Sequence, residues 1–536
     1  MGSFMGHEPG GYEHWPKLFS EWLFSMDHKV IAVGYLLGSI IALLLSIFTA
    51  LKIDTGWEIA GMSIADVVFH IALSMQGSVL LFGFMIPALF GFFASWVLPI
   101  MVGAKSIAFP RLHACGLWMF FSGLILAIAN LFIPDPFYGF GASSIAYAFS
   151  EHSNNVMLYF CMVAVWSLSA VFLVINLIAT TVSMRATGVQ WMQLNMFVWS
   201  IVLAGFLLLL FMAMNFASML MLALNPFVGK AFYFIQNTGE VFIDQTLIWA
   251  YSHLLPMLLL LPVLGLCLDI FATFTKQMPL GYPVLVGVMS LFIPASILSV
   301  VFHGYVVTSI SQSLLVMATG LQIFPAVVVL FSLIWMVMRG WNRTAWSGAM
   351  FAALSVWMLL CFALVLQSVE YMTALPLGAH VLLLIILAVI QSIFAALFYF
   401  LPKLSGRVGN RWMMHASSLL FFVAALMMSV PTILLHQGVE NTTANPFAII
   451  AMYLLIAAVI LSVLTVLHTL LAGEKVTEDN LWGSQSLEWS QTAVIPGQGN
   501  FPNPLIVPSD WTPYGYEQNG VIQFDLEARV ASYKNK

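Results

Sequence analysis

Twelve stretches of this chain are long and apolar enough to cross a lipid bilayer: 29–52, 68–101, 114–133, 154–184, 193–223, 244–274, 281–303, 311–338, 345–368, 374–402, 412–436 and 446–472. Crossing the ~30 Å hydrocarbon layer takes about 20 mostly apolar residues in helical form. An open sheet edge in lipid would leave backbone N–H and C=O groups without partners, so each stretch is expected to be a helix. Composition agrees, because 61% of the 536 residues are hydrophobic and 7% are charged, more apolar surface than a water-soluble core can hide. The expected fold class is an all-α integral membrane bundle of twelve transmembrane helices.

The few cations set the orientation. Lys17, Lys29, Lys105, Arg111, Arg185, Lys276, Arg339, Arg343, Lys403, Arg407, Arg411, Lys475, Arg529, Lys534 and Lys536 fall on the side of the termini, and Lys52 and Lys230 fall opposite. Positive charge is retained on the cytoplasmic side, so fifteen against two places both termini in the cytoplasm. The net charge of −5, with the basic residues already explained by topology, gives no reason to expect nucleic acid as a partner. Residues 1–28 lack a signal-peptide core and read as a cytoplasmic segment. Residues 29–472 read as one bundle, and 473–536, rich in Pro, Gly and Asn, as a cytoplasmic tail. Cys115, Cys161, Cys267 and Cys361 are too widely spaced for a zinc site and read as small core residues.

Ionisable groups at membrane depth are costly, so the twelve histidines are the natural place to look for chemistry. His7, His14, His28, His113, His152 and His415 lie near span ends or in loops, where a hydrated side chain is expected. His70, His436 and His468 also lie close to span ends. His253, His303 and His380 remain, on the sixth, seventh and tenth spans, at one expected depth in the outer half of the bilayer. Imidazole is the commonest nitrogen ligand for copper, iron and zinc, and helical bundles build metal and haem sites from facing helices. The alternative is ordinary interhelical hydrogen bonding. Asp66, Glu240, Asp244, Asp269 and Glu370 sit near span ends, where hydration or helix capping is expected, which disfavours a transporter.

Several ordered motifs carry a resemblance. FSMDHK (24–29), SWVLPIMVGAKSIAFPRLHA (95–114), FVWS (197–200), TGLQIF (319–324), LPKLSGR (401–407) and LWGSQSLEW (481–489) resemble, in order, segments of subunit I of the haem–copper oxygen reductases. The resemblance implies a twelve-helix bundle in the cell inner membrane, working with subunit II- and III-like membrane partners. It places His253, in SHLLPMLLLLPVLG, on a copper-ligating position. His303, in VFHGYV, falls on the first of a copper-ligating pair whose second member is here Gly304. His380, in GAHVLL, falls on the high-spin haem ligand.

Other positions depart from the family pattern. The resemblance puts the two low-spin haem ligands at Gln76 and Leu382, the copper-linked tyrosine at Met257, and the proton-pathway residues at Leu255, Ser106 and Gln322. No Arg-Arg pair stands in HQGVENTTANP (436–446) to hold haem propionates. Glutamine and leucine are not usual iron ligands, so a low-spin haem is not expected. One haem or one copper at His253, His303 and His380 is the most the pattern allows, and a cofactor-free scaffold subunit is the alternative.

Overall fold

The computed structural model describes residues 24–54, 77–130, 154–228, 241–304, 309–373, 378–436, 441–476, 480–490, 500–501, 505, 507 and 511–516. Among these, twelve helical stretches are long and apolar enough to span a membrane, in register with the twelve expected from sequence. The helices are α1 (His28–Asp54), α2 (Ser95–Met101), α3 (Pro110–Asn130), α4 (Asn154–Ser183), α5 (Met196–Val228) and α6 (Val241–Thr275). They continue as α7 (Tyr282–Ser290), α8 (Phe292–Gly304), α9 (Ser309–Gly340), α10 (Gly348–Thr373), α11 (Gly378–Ser405), α12 (Arg411–His436), α13 (Asn441–Ala472) and the short α14 (Leu487–Ser490). The seventh span is built from α7 and α8 in succession.

The second span departs from a plain α-helix. Val79–Met85 and Pro87–Ala94 are wound as π-helix before α2 continues the span. Their signature is a reach of five residues: the Ile86 N–H donates to Leu81 O and the Ser95 N–H to Phe90 O. The Ser95 hydroxyl also donates to Phe90 O at 3.0 Å. Long π-helical runs are rare. This one is sealed by its surroundings, with 94% of the span's most apolar window buried. Glycines let α1 approach it, since a Cβ on Gly83 would stand 2.9 Å from Ala42.

Burial ranks the spans. The most apolar windows of the second, sixth and tenth spans are 94%, 89% and 83% buried, whereas that of the twelfth is 28% buried, so the first three form the centre and α13 an exposed edge. Sequential helices pack as neighbours (α3 on α4, α4 on α5, α5 on α6, α10 on α11, α12 on α13), and α6 also touches α8, α9, α10 and α11. Polar side chains inside this apolar mass join helices. Asn215 donates to Ser167 at 2.8 Å, Gln391 to Ser355 at 3.0 Å and Trp166 to Phe120 O at 3.1 Å. Asn176 clamps both the N–H and the C=O of Phe109.

At the end where α11 leaves the bundle, Gly406 takes a left-handed φ of 65° and stops the helix. Arg407–Val408 then pairs antiparallel with Glu474–Lys475. The tail beyond α13 straps the helix ends at this same face. Asn500 donates to Ala104 O at 2.9 Å, the Val507 N–H to Thr187 O at 3.0 Å and Trp482 to Tyr399 O at 3.0 Å. Lys276 donates to Gly483 O at 2.8 Å and to Trp482 O.

Three expectations are corrected. Cys115 and Cys161 face outward and Cys361 is half-buried, so Cys267 alone of the four is fully buried; lipid accepts a small apolar side chain as readily as the core does. His28 and His113 are buried, not hydrated, at 4% and 0% exposure, because α1 and α3 pack together where the sequence suggested span ends. Asp269 does cap a helix, but one on another element. Its carboxylate accepts the N–H groups of Met196 and Phe197 at the start of α5, both at 3.2 Å, where the helix dipole favours negative charge.

Candidate functional site

The three histidines sit on three helices, and α6 is the common neighbour. His253 lies twelve residues into α6 and is half-buried. His303 is the penultimate residue of α8, and His380 the third residue of α11. Both α8 and α11 pack against α6. The side chains of His303 and His380, like Gln76 and residues 437–440, lie outside the described residues. Two of the three histidine-bearing helices thus pack against the third. Among the described residues no group of three His, Cys, Asp or Glu side chains is close enough to hold a metal.

One turn along α6 from His253, Met257 opens onto a cavity between α6, α9, α10 and α11 of about 70 Å³. Its walls are Met257, Leu260 and Leu264 from α6; Gln322, Ile323, Ala326 and Leu330 from α9; Leu360, Ala363, Leu364 and Gln367 from α10; and Val381 and Ile385 from α11. Pro256 and Pro262 interrupt the α6 hydrogen-bond ladder beside it. Gln322 is 6% exposed and its Nε2 has no hydrogen-bond partner among the described residues, a costly arrangement in an apolar wall. Gln367 was not singled out by sequence reasoning, although a glutamine in the apolar run LVLQSV is the signal that would have found it.

The donor set can be tested against the groups the fold implies. Leu382 on α11 is half-buried and offers no donor atom, so iron cannot be held from that position. The cavity lining carries two amides and one thioether but no imidazole and no cation to meet a propionate. An apolar cavity of about 150 Å³ accepts benzene, and a haem macrocycle is far larger than benzene. The described lining does not fit a haem.

A twelve-span bundle with its most buried helices at the centre and its polar sites between them defines a multi-pass integral membrane protein. The chain belongs to the family of cytochrome c and quinol oxidase polypeptide I, which matches residues 30–444. It is similar to cytochrome c oxidase subunit 1 of Cereibacter sphaeroides, 26% identical over 91% of this chain and 95% of that protein. It is also similar to the proteins of the same description from Alkalihalophilus pseudofirmus, 26% identical over 93% of this chain and 83% of that protein, and from Bacillus sp. (strain PS3), 25% identical over 91% and 82%.

Proposed function

We infer that this chain is a divergent subunit I-like component of a respiratory electron-transfer complex and not a self-sufficient oxygen reductase. Reducing oxygen to water at one centre needs electrons through a low-spin haem and protons through polar residues. The resemblance puts Leu382 and Gln76 where the low-spin iron would be held, and Leu255, Ser106 and Gln322 where protons would pass. The observation that carries the reading is the cavity one turn along α6 from His253, lined mostly by hydrocarbon side chains, where the Gln322 Nε2 has no hydrogen-bond partner among the described residues.

At most one cofactor site remains, at His253, His303 and His380. The chain then works with subunit II- and III-like membrane partners in the cell inner membrane, with both termini and the tail strap in the cytoplasm, as the cation asymmetry supports. The second reading, a cofactor-free scaffold of a larger membrane oxidoreductase complex, draws on the same apolar lining. An optical spectrum of the purified protein with and without dithionite, together with metal analysis, separates the two. Bound copper or iron at about one per chain supports the residual site; no metal and no visible band supports the scaffold. Two haem bands of the low-spin and high-spin kinds would overturn both.

A further inference from the structure

At the end of the bundle where the tail straps the helices, α10 and α12 leave an apolar groove of about 450 Å³ between their first turns. Trp346, Phe351, Trp412, His415, Ala416 and Leu419 line it. The two helices touch closely below it, since a Cβ on Gly348 would run into Met414. The Phe351 and His415 rings lie 4.9 Å apart. Trp412 stands edge-on to His415 at 6.4 Å and is 80% exposed. The Nε2 of His415 is buried in this wall and has no hydrogen-bond partner among the described residues.

The segments that flank the groove in sequence are cationic. Arg411 opens α12, and Arg339 and Arg343 stand at the end of α9 and in the turn after it; all three are exposed. Arg339 lies over Trp335 at 5.7 Å, and Trp341 packs on Trp346 at 5.5 Å. Neither 335–347 nor 403–419 contains an acid. The neighbouring carboxylate is Glu474, opposite Val408 on the two-stranded ladder. Indole rings settle where hydrocarbon meets headgroups, and basic pockets between transmembrane helices bind anionic headgroups.

We propose that this groove is a binding site for one anionic phospholipid. The phosphate is held by Arg343 and Arg411, and an acyl chain lies along Trp412, Ala416 and Leu419. Those residues cover about 10 Å of helix, the length of a short run of methylenes and too little for a partner helix to seat along. Charge complementarity selects the anionic headgroup over a zwitterionic one.

The test is native mass spectrometry of the full-length protein exchanged into micelles carrying phosphatidylglycerol or phosphatidylcholine, with helicity and elution volume as folding controls. Wild type is expected to retain phosphatidylglycerol preferentially. Each of Arg343→Ala and Arg411→Ala should weaken that preference about fivefold, and raised salt should weaken it similarly. Leu419→Trp, which fills the groove and leaves the cations in place, should reduce retention of both lipids. Equal retention of the two lipids by wild type, or undiminished preference in the double arginine variant, would overturn the proposal. So would a photo-crosslinker at Trp412 that captures a subunit polypeptide and no lipid from native membranes.

Discussion

Asp269 on α6 and Tyr514 in the tail, 245 residues apart in sequence, share a hydrogen bond donated by the tyrosine hydroxyl. The same hydroxyl accepts the Met196 N–H at 2.7 Å, so one tail residue is tied at once to the start of α5 and to α6. The tail is thereby part of the folded body. Tyr514→Phe removes the shared hydroxyl and leaves buried Asp269 short of a partner, which should lower stability by about 1–3 kcal/mol. Thermal unfolding in detergent and limited proteolysis of the tail would show it; an unchanged melting temperature with an equally protected tail would mean the contact does not anchor the strap.

Glu488 links the tail to pH. Burial is the main cause that pushes its carboxyl up to about 8, opposed by the hydrogen bond from Ser486 at 2.6 Å. Between its ordinary value of 4.5 and about 8 the folded protein holds a proton that the unfolded chain releases, so stability should fall as pH rises through that window. Lys276 acts in the opposite sense but higher, because burial lowers it from 10.5 to about 8. Melting temperatures measured from pH 5 to pH 8 should decline in wild type and flatten in Glu488→Gln; parallel curves for the two proteins would count against the assignment.

Leu255 on α6 and Leu382 on α11 are half-buried on two of the central helices. Lysine at either position should impair insertion and assembly, since an unpaired cation at membrane depth costs at least ~2.5–3.5 kcal/mol. Normal membrane yield and normal complex formation for both variants would show that these positions are hydrated.

The histidines can be tested singly. If they share a cofactor, His380→Ala should abolish bound metal or haem absorbance, and His303→Ala should open a coordination position and alter the spectrum. If they only pack, each change should cost about 1–3 kcal/mol through a lost hydrogen bond and a small cavity. Metal content would then stay at background in every variant.

The number and approximate limits of the spans were legible in the sequence because crossing a bilayer imposes a length and an apolarity that few other structures require. The family pattern was legible too, since motifs such as SWVLPIMVGAKSIAFPRLHA keep their order along the chain. Hydropathy could not say which face of a span meets lipid and which meets protein, because both are apolar. For that reason Cys115 and Cys161 were placed inside and are outside, and His113 was placed in water and is fully buried.

The cavity shows the same division. Gln322 was picked out by motif position, but that its Nε2 has no hydrogen-bond partner among the described residues, and that it lines one cavity with Gln367, depend on how α9 and α10 rotate against each other. The five-residue winding of Val79–Ala94 left no periodic mark in a run that is hydrophobic on every side. Sequence by itself determined that this chain must be a twelve-span membrane bundle, because burying so much hydrocarbon needs lipid. Only the tertiary structure decided which helices form its centre, that Asp269 caps α5 and holds the tail, and that the cavity beside His253 is small and apolar. These depend on side-chain contacts between elements distant in sequence, which no local pattern encodes.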